Sequence, residues 1–292
     1  MRGSLRYPAM AHLLHLSDLH FGAHDPVLVA AVETRIDEEQ PDLVVISGDF
    51  TQRARTEQFE EAGAFLGRLR DKGHQVLAVP GNHDVPLYDV FRRFLSPLTR
   101  YRRHIDDSLC PFIEIDGAAV LGINTARSLT FKNGHVSHEQ MQFIRETFAK
   151  TDPHQPRILV THHPLFALPI GDGPELGHLI EDQQSALEAI AEAGVDLLLA
   201  GHNHRASVND ATKLVKGAGK SLVVQAGTAT STRTRGEMQS FNRIEIDQRG
   251  ARITIQRWDE ASFVSGDSQI FERHGDHWEL ASGASIEQAP SA

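Results

Sequence analysis

The chain has 292 residues, of which 40% are hydrophobic, enough for one large core or two modest ones. Its formal net charge of −10 argues against a long nucleic acid as the main partner, because such binding relies on Lys and Arg neutralising phosphates. No stretch is apolar for long enough to cross a bilayer, and the single cysteine, Cys110, excludes an internal disulfide, so we expect a soluble cytoplasmic protein with no membrane partner.

The two ends of the chain differ in composition from the middle. Residues 1–10 carry positive charge, but no apolar segment of the signal-peptide type follows them, because His12, His15 and Asp18 interrupt the next run. We predict a flexible leader over residues 1–10, one domain over 11–280 and a flexible tail over 281–292.

Apolar runs alternate with amphipathic stretches along most of the chain, the pattern typical of α/β layers. In the first half, the predicted elements are a strand at 12–17, a helix at 27–39, a strand at 43–47, a helix at 56–72, a strand at 75–79, a helical stretch at 87–105, a hairpin of 112–116 with 118–124, and a helix at 137–148. In the second half, they are a strand at 157–161, a helix at 181–193, strands at 195–200 and 222–226, and a hairpin of 242–247 with 251–257. Together they predict two packed sheets flanked by helices.

The helical stretch 87–105 is rich in both arginine and large apolar residues. The favoured interpretation turns four apolar side chains inward, namely Phe91, Phe94, Leu95 and Leu98. The arginines would then form a solvated face, and they are Arg92, Arg93, Arg100, Arg102 and Arg103. The alternative is a basic cap that receives a substrate phosphate.

Two loops could form lips beside a binding site. Residues 168–174 lie in a long loop rich in Gly and Pro, which is either a rigid connection or a substrate-facing segment. Residues 228–236 contain Arg233 and Arg235 and are either a second lip or an ordinary surface loop.

Polar side chains follow five of the predicted strands at the point where each strand ends. In chain order they are Asp18 and His20, Asp49, Asn82 and His83, His162 and His163, and His202 and His204. Open α/β sheets bind ligands in the crevice beyond the carboxyl ends of their strands, so a shared sheet edge could gather these residues. A single case, such as residues 80–84, could equally be an ordinary turn. Five in succession indicate a site.

The side-chain types indicate a metal site. Carboxylates, imidazoles and one amide, without thiolates, suit divalent ions such as Mn, Fe, Co or Zn. Asp18 and His20 are two apart, so in an extended segment they would point to the same side. The ligands are too many for one tetrahedral ion and suit two ions bridged by a carboxylate, about 3.5–4 Å apart, an arrangement that clamps the attacking and leaving oxygens of a displacement at phosphorus.

In order and spacing, these residues resemble the signature of the calcineurin-like metallophosphoesterases. The matching motifs are Asp18-x-His20, Gly48-Asp49, Gly81-Asn82-His83-Asp84, His162 and Gly201-His202-x-His204. The Asp-Leu-His opening and the sequence His162-His163-Pro164 are most similar to bacterial class III cyclic-nucleotide phosphodiesterases. The resemblance implies a four-layer α/β/β/α sandwich of two mixed sheets flanked by helices, and it makes a homodimer possible.

The resemblance also implies which residues hold the two ions. The first ion would be held by Asp18, His20 and His204. The second would be held by Asn82, His162 and His202, with Asp49 bridging the pair.

Other residues receive roles outside the metal set. By resemblance, His83 would stabilise the phosphoryl oxygens or protonate the leaving alkoxide, and Asp84 would fix the tautomer of His83. We expect His163 to support or pack rather than bind metal. His24 and Asn124 are weaker candidates for substrate contact, and for Asn124 a turn role is the open alternative.

The predicted activity is hydrolysis of small phosphodiesters, cyclic nucleotides first, by a hydroxide that bridges the two ions, with His83 as proton donor. The alternatives are a phosphomonoesterase or a hydrolase of nucleotide-sugar or lipid diphosphates. A nuclease is disfavoured by the acidic charge. An inactive metal-binding scaffold is disfavoured because no ligand position departs from the family pattern.

Overall fold

Strand β1 (Ala11–Leu16) shows how the layers of the protein are built. Its side chains alternate between the two faces of a sheet, and nearly all of them are buried. Ala11 and Leu13 lie in the core between the two sheets, whereas Leu14 and Leu16 pack with the helices on the outer side. A strand covered on both faces is mostly apolar, and in β1 only His12 and His15 interrupt the apolar residues.

The computed structural model describes residues 9–128, 133–165, 183–211, 220–234, 236–275 and 277–281. After β1, the helices and strands are α1 (Pro26–Glu39), β2 (Leu43–Ile46), α2 (Thr56–Asp71), β3 (Val76–Ala78), α3 (Val90–Leu95), α4 (Thr99–His104), β4 (Phe112–Ile115), β5 (Ala118–Gly122), α5 (His138–Phe148), β6 (Arg157–Val160), α6 (Gln183–Glu192), β7 (Leu197–Ala200), β8 (Ser207–Asp210), β9 (Leu222–Gln225), β10 (Ser240–Ile246), β11 (Gly250–Trp258), β12 (Phe263–His274) and β13 (His277–Leu280). Within these residues, no helix has the length and apolar character needed to cross a membrane.

The strands form two mixed sheets. A seven-stranded sheet has the order β13-β12-β11-β10-β1-β2-β3, with β1, β2 and β3 parallel and the rest antiparallel. A six-stranded sheet has the order β4-β5-β6-β7-β9-β8, parallel except at its two edges. Helices α1 and α2 cover the first sheet, and α5 and α6 cover the second. The predicted four-layer sandwich is confirmed.

The register of the strands aligns their carboxyl ends. Leu16 pairs with Ile46, and Ile46 with Ala78, so β1, β2 and β3 end at one level. In the second sheet Val160 pairs with Leu199, which brings the ends of β6 and β7 together. The loops after β1, β2 and β3 therefore start at one level of the first sheet, and the loops after β6 and β7 start at one level of the second.

The stretch 87–105 differs from its prediction. It forms two short helices, α3 and α4, because Pro97 disfavours a helical conformation at Ser96, whose φ is −156°. Leu98 is buried as expected, but the other three apolar side chains are exposed, by 81%, 55% and 80% for Phe91, Phe94 and Leu95. Arg93 is buried instead and donates to the carbonyl of Pro86 at 3.1 Å. The prediction of an inward apolar face was wrong for α3.

Three strands were not predicted, namely β8, β12 and β13. Strand β12 is long but polar, since one of its faces is largely exposed, and an antiparallel strand can carry polar residues on such a face. Its pairing with β11 also contains an irregularity between Thr254 and Gln256, which breaks the alternation of the pattern. The predicted lip 168–174, residues 1–8 of the leader and residues 282–292 of the tail lie outside the described residues.

Candidate metal centre

The structure brings all seven predicted ligands into one cluster at the carboxyl ends of five strands. Asp18 and His20 follow β1, Asp49 follows β2, Asn82 follows β3, His162 follows β6, and His202 and His204 follow β7. Every one of these side chains is buried. Burying seven polar groups together is unfavourable unless they bind one another or a common ligand.

The first group consists of Asp18, His20 and His204. The Nε2 atoms of His20 and His204 are 3.1 Å apart, and the Oδ1 of Asp18 lies 3.2 Å from His204 Nε2 and 3.6 Å from His20 Nε2. Ligand bonds of about 2.0–2.2 Å, at angles between about 90° and 109°, place neighbouring ligand atoms about 2.8–3.6 Å apart. Asp18 Oδ1 is buried and accepts no hydrogen bond from the described residues. The three atoms are therefore spaced to bind one ion.

The second group consists of Asn82, His162 and His202. The Oδ1 of Asn82 lies 3.0 Å from His162 Nε2 and 3.0 Å from His202 Nδ1, and these two nitrogens are 3.3 Å apart. The spacing again matches neighbouring ligands of one ion.

Asp49 lies between the two groups. Its Oδ2 is 3.7 Å from His20 Nε2, and its Oδ1 is 3.4 Å from His162 Nε2. One carboxylate thus presents an oxygen to each group. This is the arrangement of a bridging ligand in a two-metal site.

Backbone carbonyls orient two of the imidazoles. The Nδ1 of His162 lies 2.8 Å from the carbonyl oxygen of Ser47, and the Nδ1 of His204 lies 2.8 Å from that of Arg233. A carbonyl can only accept, so each Nδ1 carries a proton and each Nε2 is the nitrogen that faces the cluster. The Ser47 contact also joins the two sheets across the site.

The backbone at the ligands is held in the left-handed region. In the described part of the chain eight residues other than glycine have positive φ, and five of them are candidate ligands: Asp18 (54°), His20 (49°), Asp49 (54°), His202 (72°) and His204 (58°). Such residues are uncommon and cluster at functional sites. The prediction that Asp18 and His20 lie on an extended segment was wrong, since turns rather than strand alternation bring both side chains to the same group.

Two glycines leave the space that the ligands occupy. A Cβ at Gly81 would overlap the carboxylate and the backbone nitrogen of Asp49. A Cβ at Gly48, where φ is +93°, would lie 2.7 Å from Nδ1 of His162 and 2.8 Å from the backbone nitrogen of Gly81. The glycine before Asp49 and the glycine before Asn82 are therefore required by close packing as well as by turn geometry.

The cluster has a strongly perturbed charge distribution. Burial opposes ionisation of Asp18 and Asp49, but the neighbouring imidazoles hold the pKa of both carboxyls below its usual range. Burial also lowers the pKa of His20. For His162 burial acts in the same direction, but the Asp49 carboxylate outweighs it and raises the pKa to about 9. Two buried carboxylates and the ring nitrogens around them form a set of donors suited to divalent cations.

The sequence comparisons agree with this geometry. A model of the family described as calcineurin-like phosphoesterase matches residues 11–206. The chain belongs to this family. It is therefore a metal-dependent phosphoester hydrolase of the calcineurin-like type, and the cluster at the strand ends has the donors that two ions require.

Curated relatives of this calcineurin-like phosphoesterase are distant. It is 25% identical over 213 residues to the glycerophosphodiester phosphodiesterase GpdQ of Enterobacter lignolyticus, an alignment that covers 66% of this chain and 70% of the relative. It is 24% identical over 189 residues to a probable cyclic nucleotide phosphodiesterase of Synechococcus, which covers 61% of this chain and 64% of the relative.

Solved structures share the fold. A dimetal phosphatase from Danio rerio superposes with a TM-score of 0.61 at 13% identity, covering 87% of this chain and 98% of the other. The purple acid phosphatase PPD1 from yellow lupin superposes with a TM-score of 0.67 at 13% identity, covering 89% of this chain and 54% of the other. At such identities the likeness concerns the fold alone.

His83 lies at the rim of the cluster and is only partly buried. Its backbone nitrogen donates to Asp49 Oδ1 at 2.8 Å, and its ring packs edge-on to His20 at 4.9 Å between centroids. Its Nδ1 lies 2.8 Å from the carbonyl oxygen of Gln52. The group that fixes the His83 tautomer is therefore this carbonyl, whereas the sequence had suggested Asp84.

Asp84 supports the loops instead. Its carboxylate accepts from the backbone nitrogens of Gly81 at 2.9 Å, Phe50 at 3.2 Å and Thr51 at 2.9 Å, and from the Thr51 hydroxyl at 3.1 Å. Burial, followed by the repulsion of Asp49, raises the pKa of Asp84 to about 7. These bonds tie the loop after β3 to the loop after β2, which carries Asp49.

The weaker candidates make local contacts. His163 is buried, and its Nδ1 lies 2.8 Å from the Thr125 hydroxyl. Its ring centre lies 4.8 Å from that of His202, and the ring nitrogens of His162, His163 and His202 are close enough together to bind one ion. His24 accepts from the backbone nitrogen of Gly22 at 3.1 Å. Asn124 accepts from that of Ala126 at 2.9 Å, in keeping with a turn role. A substrate contact by His24 or Asn124 stays a prediction.

Sequence reasoning did not connect Arg53 or Arg233 with His83. Both line a cleft of about 240 Å³ that His83 also lines, together with Gln52, Val85, Leu87 and Tyr88. Arg233 belongs to a loop predicted as a possible lip, but Arg53 had no signal beyond its position four residues after Asp49. Long side chains on loops carry no periodic pattern from which their direction could be predicted.

Proposed function

We propose that this calcineurin-like phosphoesterase hydrolyses small phosphodiesters, and that cyclic nucleotides are the first class to test. The observation that carries the proposal is the shared carboxylate of Asp49, which presents one oxygen to each of two groups of ligand atoms. The two curated relatives support the diester class, since one is named a glycerophosphodiester phosphodiesterase and the other a probable cyclic nucleotide phosphodiesterase.

We assign the residues to two ions of a divalent metal such as Mn, Fe, Zn or Co. Asp18, His20 and His204 would hold one ion, and Asp49 would bridge to the other. The second ion would be held by the remaining three ligands, Asn82, His162 and His202. When bound, such a pair would neutralise charge on the phosphoryl oxygens and lower the pKa of water to about 7.

We assign His83 a role at the leaving group. The Gln52 carbonyl accepts from its Nδ1, which leaves Nε2 as the atom that exchanges a proton in the partly exposed rim. A protonated Nε2 can donate to a phosphoryl oxygen or to the leaving alkoxide, which needs a proton because it is a poor leaving group. The Asp49 contact to the His83 backbone fixes the distance of the ring from the ligands.

Asp84 has a positioning role in this proposal. Because it holds the loops after β2 and β3 together, it sets where Asp49 and Asn82 stand relative to each other. We therefore expect it to act through the ligands rather than on the substrate.

A comparison of activated substrates tests the proposal. The Mn-loaded enzyme should hydrolyse the diester bis(p-nitrophenyl) phosphate with a higher kcat/KM than the monoester p-nitrophenyl phosphate. Because both compounds release p-nitrophenolate, the comparison reports the preference for diester or monoester and not a difference in leaving group. The opposite order would replace the diesterase by the phosphomonoesterase alternative. A panel of cyclic mononucleotides, glycerophosphodiesters and nucleotide sugars then ranks the diester classes.

A further inference from the structure

A basic cleft extends from His83 across the surface of this acidic chain. The 240 Å³ cleft shares Gln52, Arg53 and Arg233 with a neighbouring cleft of about 460 Å³, which Arg55 also lines. We call the two together the arginine cleft. Of the described residues that line it, three are arginines and none is Asp or Glu, although the chain as a whole has a net charge of −10.

Within the described part of the chain, the arginines of this cleft form no ion pair. Among the residues that the structure describes, several arginines of the helices and strands pair with carboxylates, for example Arg68 with Glu33 and Arg243 with Glu39. No such pair forms for Arg53, Arg55 or Arg233 within those residues. Three neighbouring cations without counter-charge repel one another, and a cleft lined by one sign of charge attracts ligands of the opposite sign.

The cleft is coupled to the catalytic rim through its backbone. The carbonyl of Gln52, directly before Arg53, accepts from His83, and the carbonyl of Arg233 accepts from His204. The Arg53 guanidinium also lies 5.8 Å from the centre of the Tyr88 ring, a cation–π contact that holds it along the cleft wall. Arg53 therefore directly follows a residue whose carbonyl contacts His83, and the carbonyl of Arg233 itself contacts His204.

We propose that Arg53 and Arg233 bind a second phosphate of the substrate, separate from the phosphate that reacts. The inference rests on the proposed phosphodiesterase activity and specifies its substrate class: diesters that also carry a phosphate monoester. A guanidinium binds phosphate through two parallel hydrogen bonds. A phosphate monoester carries up to two negative charges and a carboxylate carries one, so the phosphate is the better partner for several arginines. The side chains of Val85 and Leu87 would face the organic part between the two phosphates.

A pair of matched substrates tests this subsite. Thymidine 5′-(p-nitrophenyl phosphate) is compared with the same compound carrying a 3′-phosphate, so that the reacting ester and the leaving group are identical. With the Mn-loaded enzyme we expect kcat/KM to be about 10- to 100-fold higher for the 3′-phosphorylated compound, the range for hydrogen bonds to a charged group. A 3′-carboxymethyl compound should gain less. Raising the salt concentration should shrink the difference.

Variants then locate the effect. Arg53→Gln and Arg233→Gln should each lower the ratio between the two substrates, and the double variant should bring it close to one. Arg103→Gln is the matched control, since Arg103 is an exposed arginine on α4 that lines neither cleft. Circular dichroism of each variant checks that it is folded.

The outcomes separate the subsite from the activity. If both thymidine compounds are hydrolysed with the same kcat/KM, or if the ratio is unchanged in the arginine variants, the subsite is refuted while the diesterase remains. If neither compound is hydrolysed, the proposed function fails, and calorimetric binding decides about the subsite. Thymidine 3′,5′-bisphosphate should then bind at least about tenfold more tightly than thymidine 5′-monophosphate, and equal binding would refute the subsite.

Discussion

The metal cluster and the arginine cleft are neighbours, but they are built in opposite ways. The seven ligands are buried, follow the ends of strands, and lie where five residues have left-handed backbone. The three arginines are exposed side chains on loops, with no carboxylate partner in the described part of the chain. Backbone conformation and close packing position the ligands of the cluster. In the cleft, only the backbone of Gln52 and Arg233 is held by contacts with the histidines, and the arginine side chains extend from it.

This difference separates two kinds of selectivity. A change in the cluster alters the environment of every substrate, because all phosphoryl groups use the same ligands. A change in the cleft alters only those substrates that carry a group to be bound there. Variants in the two regions should thus be distinguishable by whether all rates fall together or the ratio between substrates changes.

The largest effect is expected at the bridging carboxylate. Asp49→Ala removes the ligand that faces both groups, so we expect loss of bound metal and a fall in kcat of more than about 10³-fold for every substrate. Elemental analysis after desalting measures the metal, and a p-nitrophenol assay measures the rate. Glu60→Ala, which removes an exposed carboxylate from α2, is the control. Full metal content in Asp49→Ala would contradict the bridging role.

A smaller and more selective effect is expected at the rim. His83→Ala should retain both ions, because its ring is not in either ligand group, but kcat should fall about 10²- to 10⁴-fold for alkyl leaving groups and less for p-nitrophenolate. His154→Ala, an exposed histidine, serves as control. Equal losses for both leaving groups would exclude proton donation by His83, and phosphoryl stabilisation would remain.

The fold was largely predictable from the sequence, for a physical reason. Strands such as β2 and β7 are buried on both faces and are continuous apolar runs in the sequence. The start of α5 is indicated by Ser137, whose hydroxyl accepts from the backbone nitrogen of Gln140 at 3.3 Å. Strand β12 was missed because its exposed face is polar. Helix α3 was misoriented because short helices have too few turns for a reliable apolar face.

The candidate site was predictable in its residues but not in its geometry. Polar residues directly after apolar runs indicated Asp18, Asp49 and His162, since the strand ends fix where they emerge. The left-handed turns at Asp18 and His20 left no pattern in the sequence, because both are ordinary residue types. The Gln52 carbonyl on His83 could not be foreseen either, since a backbone acceptor has no side-chain signature.

The close packing of the cluster can be tested without substituting any ligand residue. Gly81→Ala puts a methyl group against Asp49, so we expect metal affinity to fall about 10- to 100-fold, as for loss of a group that orients a ligand. Competition with a chelator measures the affinity. The matched control is Gly67→Ala in α2, where an added Cβ meets no atom within 4 Å. Because glycine inside a helix is less favourable than alanine, this substitution should stabilise the protein by about 0.5–1 kcal/mol. Unchanged affinity in Gly81→Ala would show that the loop can move.

The smallest expected effect lies beneath the cluster, at His15 in β1. Burial lowers the pKa of His15 from its usual value of 6.5 to about 3, and its Nε2 lies 2.9 Å from the Ser47 hydroxyl. Between these two pKa values the unfolded chain binds a proton that the folded chain does not, so the stability that neutral His15 contributes is complete above pH 6.5 and falls as pH drops towards 3.

This one group should add at most about 1.4 kcal/mol per pH unit to the acid dependence of the free energy of unfolding. Urea unfolding of the EDTA-treated protein at several pH values between 6 and 4 measures the slope. His15→Gln keeps a polar group near Ser47 but cannot titrate, so its slope should be shallower, whereas the exposed His154→Gln should follow the parent protein. Parallel slopes for all three proteins would mean that His15 titrates normally, and that the strand beneath the ligands is open to water.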